Sequence, residues 1–233
     1  LSALDDPGNG NAPGDGATAP EGSGEGSPAP STPDPDDLAR AVDAFLAGAS
    51  GAGAEVRALA EDLRGRLVLD PVADAVERLV REAGTPPDPT LLDMASAIID
   101  PAVASRIVQR IGHERDEDRK AQYLVLCRRL GEIMAKAFRG ALTGATEPAV
   151  RRAYYDALLA MGDTCRHIVE EMVEDENTLL VRSGVAILGE MGGDGATPLV
   201  TSALAHPDAR VRREALLALA KLGDEESGAL VLG

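Results

Sequence analysis

A period of about 30 residues runs through most of the chain and constrains its fold more than any other feature. Turn-forming residues recur at intervals of 30, 31, 31, 30 and 31 residues, at Asp70, Asp100, Gly131, Gly162, Gly192 and Gly223. The residue before each of the six is Leu, Ile or Met. Four residues before the last four come Cys127, Leu158, Leu188 and Leu219. Apolar residues at these offsets fall on one face of an α-helix, so each period contains an amphipathic helix that ends at a turn.

The recurring turn residues suit the ends of helices. Glycine adopts the left-handed conformation that ends many helices, while Asp70 and Asp100, each followed by Pro, would cap the next helix. A second apolar helix follows each turn, except that the last unit stops at Gly233 with only Leu230 and Leu232 begun. One such hairpin cannot bury its apolar face alone, but stacked hairpins can. We therefore predict an all-α fold, a right-handed α-α superhelix that forms a solenoid of about six helical hairpins.

Residues 1–35 differ in composition from the rest of the chain. They contain seven Gly, seven Pro and six acidic residues, and no Lys or Arg. Such a segment buries too little apolar surface to offset its ordering entropy, so we predict a disordered acidic linker over 1–35. Residues 36–233 form the predicted helical-repeat domain, whose first helix is capped by Asp34 and opened by Pro35. Because a linker joins two parts, we expect a further domain before Leu1.

The last three repeats share a short motif. They contain Val150-Arg151-Arg152, Val181-Arg182 and Val211-Arg212-Arg213, each followed by an apolar stripe and one of the recurring glycines. This pattern resembles the HEAT repeat, in the short form named after phycobilisome lyases. The resemblance covers residues 147–233, whereas over 54–142 only the period persists. It implies that the helix opening with Val-Arg lines the concave face of the solenoid.

The same resemblance implies a ladder of Asp and Arg side chains between repeats. Asp175 could partner Arg182, but the equivalent positions hold Gly144 and His206. The middle repeat fits two registers, and the one that keeps the glycines aligned also aligns three arginines. We name Arg152, Arg182 and Arg213 the arginine row and predict that it binds an acidic partner, since guanidinium groups pair well with carboxylates.

Composition argues against several classes of function. The net charge of -16 and pI of about 4.5 disfavour nucleic-acid and polybasic membrane binding, and there is no Trp for base stacking. No apolar run approaches the roughly 18 residues of a membrane helix. Two cysteines form no disulfide framework, which favours a cytoplasmic location. The 20 Arg against 3 Lys are typical of a GC-rich bacterial coding sequence.

The residues that could carry chemistry do not assemble into a recognisable site. His113, His167 and His206 lie far apart, without the clustered ligands that a metal needs. Cys165 with His167 could suggest a nucleophile and base, but no third member is evident. The sequence therefore predicts no catalytic residue, no metal site and no cofactor.

These observations favour a non-catalytic scaffold for protein–protein interaction, acting as a regulatory module of a larger protein. The expected partner is a protein or an acidic peptide, and neither nucleic acid nor a membrane. Self-association through the open C-terminal repeat is also expected, because end repeats normally need a polar cap. Two alternatives remain: a bilin lyase-like enzyme, which the family name implies, and a HEAT-like nucleic-acid-binding protein.

Overall fold

The structure is a computed structural model that describes residues 34–193 and 195–223. Within these ranges every regular element is helical. The α-helices are α1 (Pro35–Leu46), α2 (Ala52–Gly65), α3 (Leu69–Glu82), α4 (Pro89–Ala97), α5 (Pro101–His113), α6 (Glu117–Leu130), α7 (Glu132–Gly144), α8 (Pro148–Met161), α9 (Arg166–Val173), α10 (Thr178–Met191), α11 (Ala196–Ser202) and α12 (Ala209–Leu222). Short 3₁₀ segments at Gly162–Cys165 and Ala203–Ala205 adjoin α9 and α11.

The helices form two layers. The odd-numbered helices from α1 to α11 contact one another in chain order, and so do the even-numbered helices from α2 to α12. Helices of one layer also pack on their chain neighbours in the other, most closely in the pairs α1/α2 and α9/α10. Contacts between elements therefore stay local in sequence, which defines a solenoid of stacked hairpins. The predicted all-α solenoid is confirmed for the described residues.

Helix α6 departs from this regular packing. Its principal contacts are with α3 and α8, while α5, its chain neighbour, packs mainly on α7 and α8. The sequence of α6 explains its peripheral position, because polar and charged residues dominate it and only Tyr123, Leu126 and Cys127 are buried. The even-numbered layer is consequently looser around α6 than at α10 and α12.

Glycines at the recurring turns adopt positive φ angles, as predicted. Gly131, Gly162, Gly192 and Gly223 have φ of 44, 60, 62 and 65°, and the amides of Gly131 and Gly192 donate to carbonyls four residues earlier. Each turn connects an even-numbered helix to the odd-numbered helix that follows it, since α8 and α10 end at Gly162 and Gly192. Asp34 caps α1 through its side chain, and Asp100 caps α5 by accepting from the Val103 amide at 2.8 Å.

The predicted cap at Asp70 is wrong. Helix α3 begins at Leu69, so Asp70 and Pro71 lie within its first turn and Val68 occupies the cap position. The Asp70 carboxylate accepts hydrogen bonds from Arg106 and Arg110 instead. Two guanidinium groups on α5 offer a charged carboxylate stronger hydrogen bonds than the neutral amides of its own helix end.

The core lies between the two layers and is built from the predicted stripe. Cys127, Leu158, Leu188 and Leu219 are all buried. The predicted linker over 1–35 falls almost entirely outside the described residues, as do Leu230 and Leu232 of the last, unfinished repeat. The two domain boundaries given above therefore stay predictions.

Candidate interaction surface

The three residues of the arginine row occupy equivalent positions. Arg152, Arg182 and Arg213 are each the fifth residue of α8, α10 and α12, which neighbour one another in the even-numbered layer. The register that keeps the glycines aligned is therefore the one that the helices adopt. The binding role of the row stays a prediction.

Arg152 contacts two neighbouring side chains and is more exposed than Arg182. Its Nε donates to Asp156 Oδ2 at 3.0 Å, and its guanidinium lies 5.2 Å from the centre of the Tyr155 ring. The Arg152 side chain is still 72% exposed. Tyr155 is half-buried, and its hydroxyl donates to the Ala186 carbonyl of α10 at 3.3 Å. Burial raises the pKa of Tyr155 to about 12, so the ring stays neutral beneath the arginine.

Of the other two members of the arginine row, Arg182 reaches the next helix of the even-numbered layer. Arg182 Nε lies 4.0 Å from Glu214 Oε2 of α12. Arg213 is exposed and makes no ion pair with the residues that the structure describes. A second contact between α10 and α12 joins Lys221 to Glu190. Carboxylates thus alternate with arginines along these helices, and the surface is less uniformly basic than the row suggests.

Asp175 does not pair with Arg182 as the resemblance implied. Its carboxylate accepts from Arg139 of α7 at 2.5 Å, and Arg139 also binds Glu171 of α9 at 3.0 Å. The hydrogen bond from Arg139 lowers the pKa of Asp175 below its usual range. Arg139 reaches Asp175 across the odd-numbered layer, so this rung lies on the opposite layer from the arginine row.

The odd-numbered layer holds further ion pairs that our sequence reasoning missed. Arg106 binds both oxygens of Asp70 at 2.6 and 2.7 Å, and Arg110 binds Asp70, Asp74 and Glu77. Arg78 pairs with Asp43 on α1. The acid and the arginine are 36 residues apart in Asp70–Arg106 and Asp74–Arg110. This 36-residue interval between opposite charges is present in the sequence, but the apolar period of about 30 residues does not reveal it.

An apolar groove separates α6 from α8. We call it the α6–α8 groove; it has a volume of about 390 Å³. Its lining residues are Ile111, Glu117, Lys120, Ala121, Tyr123, Leu124, Cys127, Ala153, Asp156, Ala157 and Ala160. Small alanines form the α8 wall, while Glu117, Lys120 and Asp156 stand at the rim. Because Asp156 also binds Arg152, the groove adjoins the first residue of the arginine row.

A second groove lies on the other side of α6. It has a volume of about 530 Å³ between α6 and the segment that joins α3 to α4. Val80, Leu92 and Val125 give it apolar walls, and Asp118 is its charged residue. Residues of α6 thus line both grooves.

Cys165 and His167, which the sequence analysis considered as a nucleophile and base, have different surroundings. Cys165 is fully buried, and its thiol donates to the carbonyl of Leu158 at 3.2 Å and lies 3.3 Å from that of Gly162. Burial raises the pKa of Cys165 to about 11, which keeps the thiol protonated. His167 is exposed and lies 3.9 Å from Glu132. Among the described residues, no three His, Cys, Asp or Glu side chains are grouped so that they could hold a metal ion.

None of the helices in the described ranges combines the length and apolar character needed to span a bilayer.

Comparison with known families finds a match for the C-terminal part of the chain. Residues 165–233 match the family described as HEAT repeats. Over this C-terminal part, the chain is similar to HEAT-repeat proteins. The match includes α9 to α12 and two members of the arginine row, Arg182 and Arg213, and it begins later than the resemblance at residue 147.

A designed armadillo repeat protein in complex with the peptide (KR)4 is similar, with a TM-score of 0.28 and 11% sequence identity. That similarity covers 81% of this chain and 98% of the designed protein. No curated protein matched the chain.

Proposed function

We propose that this chain is a non-catalytic scaffold that binds a segment of a partner protein in the α6–α8 groove. HEAT repeats commonly mediate protein–protein interaction through the extended surface of the stacked helices. The observation that carries the proposal is an open apolar groove that ends at an exposed arginine. Grooves between helices that combine an apolar floor with a few polar groups are typical binding sites.

The groove suits a partner segment that has an apolar side chain next to an acidic one. The apolar side chain would lie against Ala153 and Ala157 of α8 and Leu124 of α6. Asp156 and Arg152 are half-exposed or more, and such surface ion pairs contribute little net free energy. Arg152 can therefore exchange Asp156 for a partner carboxylate. Arg182 and Arg213 would extend an acidic binding preference along the row.

The proposed role is not enzymatic, and the proposed location is the cytoplasm. Cys165 has the environment of a packed core residue, which supports a structural use of its thiol. Both cysteines of the chain, Cys127 and Cys165, are free and buried. Unpaired cysteines are common where the compartment is reducing.

Selection from a random peptide library displayed on phage tests the proposal without knowledge of the natural partner. The full chain would be the bait, and selected peptides would then be synthesised and titrated by fluorescence anisotropy. We expect peptides in which acidic residues adjoin apolar ones. Arg152→Glu should weaken their binding by about tenfold, because the variant replaces an attraction for the acidic residue with a repulsion between like charges.

A matched control separates this site from general charge effects. Arg57→Glu makes the same change at an exposed position of α2, away from the groove, and should leave peptide affinity unchanged. Ala153→Trp should block the groove and reduce affinity without a change of charge. Selected peptides whose affinity is equal for the native chain, Arg152→Glu and Ala153→Trp would overturn the proposal.

We also propose that the chain self-associates through its C-terminal end. Leu216 and Leu217 of α12 are 41% and 49% exposed, which is unusual among the described apolar residues. Contiguous exposed leucines are typical of interaction sites. A rise in weight-average mass with concentration, measured by sedimentation equilibrium, is the expected result, and a constant monomer mass is the contrary one.

A further inference from the structure

A third groove lies where the ends of α5 and α7 meet the start of α8. We call it the α5–α7 groove; it has a volume of about 350 Å³. Its lining residues are Gln109, His113, Gly140, Ala141, Thr143, Gly144, Ala145, Thr146, Glu147, Val150 and Tyr154. None of these residues is Lys or Arg, and none also lines the α6–α8 groove. The α5–α7 groove is therefore a separate site, and Glu147 supplies its carboxylate.

The next repeat shows why this groove is open. There, Arg139 of α7 donates hydrogen bonds to Glu171 of α9 and to Asp175, which follows α9. The equivalent positions, 31 residues earlier, hold Val108, Gly140 and Gly144. The valine is fully buried, and a Cβ on either glycine would meet nothing within 4 Å. The chain thus fills this place with its own guanidinium in one repeat and leaves it open in the repeat before.

A buried hydroxyl without a partner belongs to this groove. Tyr154 is only 3% exposed, and its Oη lies against α5, where a Cβ on Gly112 would be 2.7 Å from it. This hydroxyl makes no hydrogen bond within the part of the chain that the structure describes, and burial raises the pKa of Tyr154. Leaving a buried polar group unpaired costs free energy, so nearly all such groups in folded proteins have a partner. Tyr154 therefore indicates that the groove receives a polar group.

The other polar groups near Tyr154 accept hydrogen bonds. His113 Nδ1 lies 2.9 Å from the Gln109 carbonyl, so the proton of the neutral ring is on Nδ1 and Nε2 is an acceptor. Glu147 is exposed, makes no capping hydrogen bond at the start of α8 and has no ion pair among the described residues. Arg151 already donates to two carbonyls of the loop before α8. The carboxylate, the imidazole and the phenol therefore remain for a group that carries several N–H donors.

We propose that the α5–α7 groove binds an arginine side chain of a partner protein, in the place equivalent to that of Arg139 in the next repeat. A guanidinium has five N–H donors in one plane, so it can pair with Glu147 and also donate to Tyr154 and His113. A lysine ammonium is a compact charge and suits separated acceptors less well. The arginine stem would lie on the buried Val150. The net charge of -16 attracts a basic partner, and this site is independent of the α6–α8 groove.

Two peptides that differ in charge and hardly in shape test the site. Acetyl-Ala-Arg-Ala-amide carries the guanidinium, and its citrulline analogue carries a neutral urea in the same place. Both are titrated into the full chain, labelled with nitrogen-15, and followed by two-dimensional NMR. The arginine peptide should bind about tenfold more tightly, because a charged donor pairs with the Glu147 carboxylate more strongly than a neutral one does. The shifted signals should belong to residues 109–113 and 140–154.

Variants of the chain assign the binding to named groups. Tyr154→Phe and Glu147→Gln each remove one acceptor and should each weaken the arginine peptide by about fivefold. Glu61→Gln, at an exposed position of α2, should leave its affinity unchanged. Urea unfolding should show Tyr154→Phe to be at least as stable as the native chain, because the lost hydroxyl has no partner to lose.

Several results would overturn the proposal. These are equal affinity for the two peptides, no binding of the arginine peptide at millimolar concentration, unchanged affinity in Tyr154→Phe or Glu147→Gln, and tighter binding of the corresponding lysine peptide. None of them bears on the α6–α8 groove, since the two grooves share no lining residue.

Discussion

The backbone of Gly189 lies so close to Ala218 that a Cβ on Gly189 would be 2.5 Å from Ala218 Cβ and 2.7 Å from Ala218 Cα. Both atoms belong to the rigid part of α12, so they cannot yield as the end of a long side chain could. This contact lets α10 and α12 approach more closely than the even-numbered helices around α6. Gly189 is therefore one reason why the even-numbered layer is tight at its C-terminal end.

Gly189→Ala should destabilise the chain by about 1–3 kcal/mol, because the added methyl forces the two helices apart. Gly140→Ala is the matched control, since Gly140 is exposed within α7 and an added Cβ would meet nothing within 4 Å. That control should stabilise the chain by about 0.5–1 kcal/mol, as alanine is the better helix former. Urea unfolding followed by circular dichroism measures both, and a Gly189→Ala variant as stable as the control would contradict the packing.

The lowered pKa of Asp70 predicts that the stability of the fold depends on pH. Hydrogen bonds from Arg106 and then Arg110 lower the pKa of Asp70 from 3.8 to about 2. A carboxyl whose pKa is lowered by folding stabilises the fold above its unfolded pKa, and this contribution disappears as the pH falls from about 4 to about 2.

Asp70→Asn should remove that part of the acid dependence. The variant should be less stable than the native chain near neutrality by about 1 kcal/mol at most, because Asp70 is half-exposed and solvent screens the pairs. The difference should vanish by about pH 2 and shrink in high salt. Glu61→Gln, on an exposed carboxyl, serves as the control. A constant difference across the acid range would show that the ion pairs contribute nothing.

The two thiols should resist modification in the folded chain. Burial raises the pKa of Cys165 to about 11 and that of Cys127 to about 12, so thiolate is scarce near neutral pH and reagents have no access. Reaction with a disulfide reagent should therefore be slow for the native chain and rapid in urea. One equivalent of fast reaction in the native chain would indicate an accessible, activated cysteine and would support the enzymatic alternative.

The period predicts the solenoid because every repeat needs the same turn and the same apolar stripe. The turns at Gly131 and Gly162 could be predicted from the sequence, because glycine is the residue that most readily adopts the positive φ angles found there. Asp70 and Asp100 could not be told apart, because both precede Pro and the sequence does not show that Arg106 and Arg110 reach Asp70. Asp175 was likewise matched with the wrong arginine. Its partner, Arg139, belongs to α7 in the odd-numbered layer, whereas the Val-Arg motif describes helices of the even-numbered layer.

The candidate surface was predictable only in part. Equal positions for Arg152, Arg182 and Arg213 follow from the repeat register. The α6–α8 groove does not, because it depends on the displacement of α6 from α5, and that displacement follows from packing among α3, α5 and α8. The sequence of α6 shows few apolar residues, but it does not show which neighbours move away.

Hydrogen exchange with and without a selected peptide tests the central claim most directly. Peptide binding in the α6–α8 groove should slow amide exchange in residues 117–130 and 148–161. Helices α1 and α2, none of whose residues line the groove, should exchange as in the free chain. Protection confined to the odd-numbered layer, or no protection at saturating peptide, would contradict the account.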